Sequence, residues 1–144
     1  MDNVHPINIL LIEDNPGDVR LTREIFRDSR LYNALHVVGD GVEALDFLRG
    51  RGEYIGAPRP DLILLDLNLP KMDGREVLAA IKTDDDLKLI PVVILTTSEA
   101  LEDILQTYDL QANFYISKPV NLDQFIKIVQ SIGGFWLTVV RLPE

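Results

Sequence analysis

The sequence has no cysteine, no excess of basic residues and no long apolar run. The absence of cysteine among its 144 residues excludes disulfides, thiolate metal ligands and thiolate nucleophiles, and it suits a reducing cytoplasm. Fourteen Lys and Arg stand against 23 Asp and Glu, and the net charge of −9 opposes nonspecific binding to nucleic acid or anionic membranes. The longest apolar stretches, such as residues 62–65, are far shorter than the roughly 20 residues of a membrane-spanning helix. Residues 1–6 also lack the basic start and apolar core of a signal peptide.

The composition is typical of an ordered globular domain. Hydrophobic residues make up 47% of the chain and charged residues 26%, as in ordinary soluble proteins. The length fits one compact domain, whose core needs neither a disulfide nor a structural metal. We therefore expect one cytoplasmic domain that binds neither nucleic acid nor membrane.

Short apolar runs alternate along the chain with helical patterns. Each run is apolar at consecutive positions, which favours strands covered on both faces, as in a parallel sheet between helices. We predict five strands, at residues 7–12, 34–38, 61–65, 91–95 and 112–116. Strands and helices that alternate with short links predict a doubly wound α/β domain.

The segments between these strands carry helix signals. Asn15 followed by Pro16 predicts the start of the first helix, with Asn15 as the N-cap. This helix should turn inward Val19, Ile25 and Phe26. Further helices are expected to begin near Gly41, Asp73 and Ser98. The last should cover residues 121–132 and end at Gly133-Gly134, and its buried face is predicted to comprise Leu122, Phe125, Ile126, Val129 and Ile132.

The widest irregular stretch, residues 49–60, is rich in Gly and Pro and indicates a surface loop between the second helix and the third strand. Ligands of doubly wound sheets bind beyond the carboxyl ends of the strands. The functional residues are therefore expected where the strands end.

Polar side chains follow four of the predicted strands. They are Glu13 and Asp14 after the first strand, Asp66 after the third, Thr96 after the fourth and Lys118 after the fifth. Because these ends converge at one edge of the sheet, the carboxylates would crowd together beside one ammonium, and like charges repel in a partly desolvated site unless a cation joins them. Taken singly, Asp66 could cap a turn before Pro70, and Glu13-Asp14 could simply start the first helix. Taken together, they predict a divalent cation site.

The chemistry of the predicted ligands favours Mg²⁺ over zinc, because they are hard oxygen donors without His or Cys. Asp14 and Asp66 are expected to bind the ion directly, and Glu13 through a water molecule. The main-chain carbonyl of Asn68 could reach the ion around the turn. Water and a phosphate oxygen would complete the octahedral shell.

Lys118 has two readings, as a solvated loop lysine or as a charge that faces a transferring phosphoryl group. Phosphoryl transfer needs charge stabilisation more than covalent assistance. We therefore expect Lys118 to hold an acyl phosphate formed on Asp66. The hydroxyl of Thr96 is expected to donate to a phosphate oxygen.

These motifs together resemble the receiver domains of two-component response regulators over residues 7–132, nearly the whole chain. The resemblance rests on residues 11–15 (LIEDN), 40–45 (DGVEAL) and 61–74 (DLILLDLNLPKMDG), on Thr96 and on Lys118-Pro119. It implies a flavodoxin-like (βα)5 fold with the receiver domain over residues 1–134 and a short C-terminal extension over residues 135–144.

The family resemblance also implies a role for each site residue. Asp66 would accept a phosphoryl group from the phosphohistidine of a partner histidine kinase, and Glu13 and Asp14 would be the acidic pair. Thr96 would be the switch hydroxyl and Lys118 the lysine of the site. Tyr115 matches the aromatic residue that swings inward when the threonine engages phosphate. The alternative is that Tyr115 is an ordinary surface tyrosine on an edge strand. Output would pass through the fourth helix and the fifth strand to a downstream effector or phosphotransfer protein.

The C-terminal stretch FWLTVVR, residues 135–141, is apolar and exceeds what a receiver domain needs. We expect it to join the last helix in a homodimer contact, with packing back on the body of the domain as the alternative. This tail, residues 51–54 (RGEY) and residues 75–78 (REVL) are similar to single-domain regulators that serve phytochrome-like photoreceptor kinases.

Two other classes of function compete with a phosphate acceptor. The first is a receiver-like interaction module that is never phosphorylated, which would have no reason to keep three repelling carboxylates. The second is a phosphatase with an aspartyl nucleophile, which usually carries that nucleophile after the first strand and a second aspartate two residues on. Here the first strand is followed by Glu13-Asp14-Asn15.

Overall fold

The computed structural model is built on a parallel five-stranded sheet with the strand order β2-β1-β3-β4-β5. It describes residues 6–29, 31–66, 69, 72–96, 114–118 and 120–132, and for residues 96, 114, 115, 117 and 129–132 it describes the backbone alone. The strands are β1 (Ile7–Ile12), β2 (Asn33–Val38), β3 (Leu62–Asp66), β4 (Val92–Thr96) and β5 (Phe114–Ser117). This is the flavodoxin-like order, so the predicted doubly wound parallel sheet is confirmed.

Both faces of the sheet are buried, because successive side chains of a strand point to opposite sides. In β1, Leu10 and Ile12 join one apolar cluster, whereas Ile9 and Leu11 join a second cluster on the opposite face. All four are 0% exposed. The unbroken apolar runs of the central strands are thus explained by cover on both sides, whereas the edge strand β2 is only half-buried.

Four described helices supply this cover: α1 (Pro16–Asp28), α2 (Gly41–Arg49), α3 (Gly74–Thr83) and α4 (Leu122–Ile132). Phe47 of α2 and Val77 of α3 belong to the first cluster, and Phe26 of α1 and Phe125 of α4 belong to the second. The rings of Phe26 and Phe125 meet edge to face with their centroids 4.9 Å apart. None of the described helices is long and apolar enough to span a membrane.

The start of α1 confirms the predicted cap. The side chain of Asn15 accepts a hydrogen bond from the backbone N–H of Asp18, and Pro16 occupies the first helical position. Phe26 is fully buried, and Val19 and Ile25 pack against the second cluster. The position of the first turn of α1 after β1 is therefore set by a local capping interaction.

The last helix differs from its prediction in one detail of its buried face. Leu122 and Phe125 pack into the second cluster as expected, and so does Ile128, which the prediction omitted. Ile126 is half-buried, as are Leu122 and Ile128, and the side chains of Val129 and Ile132 lie outside the described part of the chain. The predicted helix from Ser98, the end at Gly133-Gly134 and the extension over residues 135–144 lie outside the described residues.

The loop after α2 forms as predicted, and its first residue ends that helix. Gly50 adopts the left-handed conformation with φ of 63°, and its N–H bonds back to Phe47. Residues Gly52–Tyr54 make a short 3₁₀ turn. Farther on, Arg59 donates to the side chain and to the main-chain carbonyl of Asp86, both at 2.9 Å, which ties this loop to the one before β4.

Gly41 marks a close approach between α2 and the chain that leads into α3. A Cβ atom at this position would lie 2.6 Å from Val77 Cγ2 and 2.7 Å from the main-chain oxygen of Met72. Only glycine fits here without displacing its neighbours. The start of α2 is thereby pressed against the segment that connects β3 to α3.

Candidate functional site

The candidate site lies at the carboxyl ends of β1 and β3, which are neighbours in the sheet. The parallel register places Ile12 beside Leu65, so the residues that follow them, Glu13 and Asp66, emerge at the same level. Glu13 is 2% exposed and Asp66 is 3% exposed, although both are carboxylic acids. Burial of two neighbouring carboxylic acids costs free energy, and such an arrangement is typical of a functional site.

Asp14 completes an acidic group with these two residues. One carboxylate oxygen from each of Glu13, Asp14 and Asp66 lies within 4.8 Å of the other two. Asp14 is exposed, so the group opens to solvent on one side. Its hard oxygen donors and their spacing fit a divalent cation such as Mg²⁺, so these three predicted ligands come together as the sequence indicated.

Lys118, which follows β5, reaches into this acidic group. Its Nζ lies 2.6 Å from Glu13 Oε1 and donates to Asp66 Oδ2 at 2.9 Å. The lysine is no solvated loop residue, since its side chain is only 19% exposed. Burial alone would lower the pKa of Lys118, but its hydrogen bonds with carboxylates outweigh burial and raise the pKa above its ordinary value. The side chain is therefore a permanent ammonium.

One ammonium does not compensate for the charges of all the acids, and the pKa of Glu13 is raised as a result. Burial is the largest cause that raises the pKa of Glu13, and the hydrogen bond and charge of Asp66 raise it further. Lys118 opposes them, and the result is a pKa of about 7 instead of 4.5. Glu13 therefore competes for a proton near neutral pH when no cation is bound, which fits a site that is short of positive charge.

Asp18 is a member of the site that the sequence prediction missed. Its Oδ2 accepts from Lys118 Nζ at 3.1 Å, from the first turn of α1. An acidic residue in a first turn is already explained by its favourable interaction with the helix dipole. No local pattern therefore connects Asp18 with a lysine 100 positions away.

Three predicted site residues are described only in part or not at all. Thr96 is the last residue of β4 and pairs with Ser117 of β5. Tyr115 lies within β5 and pairs with Ile94 of β4. The backbone of Thr96 is thus at the carboxyl end of β4, as expected, and that of Tyr115 is in the edge strand β5. The side chains of both residues, and Asn68 altogether, lie outside the described part of the chain. The proposed switch and the fourth metal ligand stay predictions.

Comparison with known proteins gives a consistent assignment. Residues 9–130 match the family described as the response regulator receiver domain. The chain is 51% identical over 138 residues to the response regulator Rcp1 of Synechocystis sp., a match that covers 96% of this chain and 94% of Rcp1.

Solved structures of similar proteins extend this assignment. The bacteriophytochrome response regulator AtBRR superposes with a TM-score of 0.84 at 45% identity, over 92% of this chain and 96% of AtBRR. The phosphorylated cyanobacterial phytochrome response regulator RcpA gives 0.74 at 52% identity, over 97% and 100% of the two chains. The Mn²⁺-bound form of Rcp1 gives 0.73 at 51% identity, over 96% and 100%. All three are similar to this chain in both sequence and fold.

Proposed function

Since the chain belongs to the response regulator receiver domain family, we propose that it is a single-domain response regulator that accepts a phosphoryl group on Asp66. The observation that carries this proposal is the environment of Asp66. Its carboxylate is 3% exposed at the end of β3, and its Oδ2 lies 2.9 Å from the ammonium of Lys118. A buried carboxylate between an ammonium and two further acids is suited to transfer of a charged group. Packing of the apolar core does not require such a carboxylate.

In the proposed reaction, the Asp66 carboxylate attacks the phosphorus of a phosphohistidine on a partner kinase. An oxygen–phosphorus bond forms on Asp66 while the phosphorus–nitrogen bond breaks. The electron pair of that bond returns to the imidazole, which takes a proton from solvent. Lys118 donates to the oxygens that carry the transferred charge, and its permanent ammonium makes that interaction independent of pH in the physiological range.

The acidic group would hold Mg²⁺ during this transfer, through Glu13, Asp14 and Asp66 and, as predicted from the sequence, the main-chain carbonyl of Asn68. When bound, Mg²⁺ would supply the positive charge that offsets both the carboxylates and the phosphoryl oxygens. The shortage of positive charge around Glu13 supports this proposal, and so does the 51% identical Rcp1, which has a Mn²⁺-bound form. The chain would in this way assist its own phosphorylation and dephosphorylation, without turning over a metabolite.

The signal is proposed to leave the site through Thr96 and Tyr115. Addition of phosphate brings nearly two negative charges, and the hydroxyl of Thr96 would move to donate to a phosphate oxygen. Tyr115 would turn inward when Thr96 engages the phosphate. The backbones of both residues lie on adjacent strands β4 and β5, which supports a coupled movement of this edge of the sheet.

The partner is proposed to be a histidine kinase of the phytochrome-like photoreceptor type, because the similar proteins include a bacteriophytochrome and a cyanobacterial phytochrome response regulator. A downstream effector or phosphotransfer protein would receive the signal. Residues 1–134 are proposed as the receiver domain, and residues 135–144 as an extension that joins α4 in a homodimer.

The proposal is tested by incubating the protein with acetyl phosphate and Mg²⁺ and measuring intact mass. We expect one added phosphoryl group per chain, lost on chelation of Mg²⁺ and in Asp66→Asn. Asp85→Asn makes the same chemical change at a side chain that is 99% exposed and should label like the wild type.

The alternatives give different results in this assay. Label that persisted in Asp66→Asn would refute Asp66 as the acceptor. An unlabelled wild-type chain that still bound a kinase would support the interaction module, and continuous release of phosphate from a generic ester would support the phosphatase. Sedimentation of a chain that ends at Gly134 tests the dimer, since an unchanged mass relative to the full chain would refute the role of the extension.

A further inference from the structure

Lys118 has one carboxylate partner that does not belong to the acidic group. Among the described residues, the group whose oxygens lie close enough to share a cation contains Glu13, Asp14 and Asp66 and leaves out Asp18. Yet Asp18 Oδ2 accepts from Lys118 Nζ at 3.1 Å, a distance comparable to the 2.9 Å of the bond with Asp66. A lysine ammonium has three N–H donors, and here three carboxylates surround it.

The three partners differ in what else they must do. Glu13 and Asp66 are also proposed to hold the cation, and Asp66 is the residue that would be modified. Their interaction with Lys118 must therefore change when a cation binds and again when phosphate arrives. Asp18 has neither task, so it is the partner that can hold the ammonium throughout.

The backbone of Asp18 is fixed from both sides. Its N–H donates to Asn15 Oδ1 at 2.9 Å, as part of the cap of α1. Its carbonyl accepts from Thr22 Oγ1 at 2.8 Å, and Thr22 is itself buried. The carboxylate of Asp18 thus stands on a rigid first turn, at the rim of the site, with its side chain 40% exposed.

The side chains around this contact pack closely on its inner side. The cavity lined by Glu13, Asp18, Lys118 and their neighbours has a volume of about 10 Å³, at the lower limit for a single water molecule. On this side the ammonium of Lys118 therefore meets carboxylates of the chain with little space for water between them.

We infer that Asp18 is a positioning residue for Lys118, which it holds with its donors directed at Asp66 before and during phosphoryl transfer. The inference rests on the function proposed above. A lysine side chain has many rotamers, and ordering it costs conformational entropy. If the side chain were ordered only during the reaction, this cost would add to the activation free energy. The bond to Asp18 orders the ammonium in advance, which raises the rate without any contact between Asp18 and the phosphoryl group.

The inference is tested with the rate of Asp66 phosphorylation by acetyl phosphate at saturating Mg²⁺. Asp18→Ala should lower the maximal rate by about two- to fivefold, the range for loss of one partly exposed charge pair. The concentration of acetyl phosphate at half-maximal rate should change little. Asp18→Asn keeps an oxygen acceptor at the same position and should recover most of the lost rate.

A matched control and a double-mutant cycle separate positioning from a change in net charge or fold. Asp28→Ala removes the same charge from the same helix, at a side chain that is 74% exposed and has Arg27 as its partner. It should leave the rate unchanged. In a Lys118→Ala background, Asp18→Ala should cause no further loss, because its effect passes through the lysine. Circular dichroism would verify that each variant is folded.

Two results would overturn the inference while the proposed function stood. One is labelling of Asp18→Ala at the wild-type rate, and the other is an equal loss of rate with and without Lys118. Failure of the proposed function looks different, because the wild-type chain would then take up no phosphate at all, and the inference would fall with it.

Discussion

Substitution of Gly41 by alanine should destabilise the protein by about 2 kcal/mol. The added Cβ would lie 2.6 Å from Val77 Cγ2, 2.7 Å from Met72 Cβ and 2.7 Å from the main-chain oxygen of Met72. These separations are about 1 Å shorter than an ordinary contact between heavy atoms. Overpacking of this kind costs about 1–3 kcal/mol, and the backbone oxygen cannot rotate away as a side chain could. The helix propensity that alanine gains over glycine, at most about 1 kcal/mol, does not offset the overlap.

The change is measured by urea unfolding followed by circular dichroism. With a slope of about 2 kcal/mol per molar urea, the midpoint of Gly41→Ala should fall by about 1 M. The thermal midpoint should fall by about 4–8 °C for a chain of this size. The slope should stay unchanged, because the same surface is exposed on unfolding.

Gly39→Ala is the matched control, two positions earlier in the chain. A Cβ at Gly39 would lie 3.6 Å from Glu43 Oε2, an ordinary contact, and the hydrogen bond from Gly39 N–H to Glu43 Oε2 would remain. Its effect should stay within about 0.5 kcal/mol. Equal midpoints for the two variants would refute the argument that close approach between α2 and Met72 makes glycine necessary.

Two further predictions concern the acidic group. Mg²⁺ at about 100 times its dissociation constant should stabilise the protein by about 2.7 kcal/mol. The thermal midpoint should then rise by about 5–10 °C. Asp14→Asn should remove most of this rise, because it removes a ligand, and since Asp14 is exposed the substitution should disturb packing little. Without Mg²⁺, stability against urea should fall as the pH rises from 4.5 to about 7, because folded Glu13 holds its proton more tightly than an unfolded glutamic acid. Glu13→Gln should flatten this dependence.

Each of these predictions has a clear contrary result. A Mg²⁺ response in Asp14→Asn equal to that of Asp28→Asn would contradict the assignment of Asp14 as a ligand. Stability that rises with pH over the same interval would contradict a raised pKa for Glu13, since protons would then bind more tightly to the unfolded chain.

Most of the fold could be predicted from local signals. Apolar runs located each strand within about two residues, and the Asn15-Pro16 pair located the start of α1. These features depend on neighbours in the sequence. The necessity of Gly41 does not, because it arises from the approach of Met72 and Val77, which are distant in the chain. Ile128 was missed for a different reason, since it lies three residues after Phe125 and helical spacing alone would have placed it on the same face.

The site was predictable to the extent that strand ends converge. That rule alone brought Glu13, Asp14, Asp66 and Lys118 together. It could not identify Asp18, which sits on a helix and reaches Lys118 sideways. Nor could it foresee that burial would raise the pKa of Glu13 to about 7, because the degree of burial is set by the packed structure.

Lys118 joins parts of the chain that are made at different times. Its partners Asp66 and Asp18 precede it by 52 and 100 residues, so β1 and β3 are synthesised well before the lysine that lies between their buried acids. Because like charges repel in a partly desolvated site, we expect this end of the sheet to be less stable until β5 docks and brings the ammonium of Lys118. If the proposed phosphoryl transfer needs Lys118 beside Asp66, a chain that has not yet docked β5 should not accept phosphate, and labelling would then report that folding of this edge of the sheet is complete.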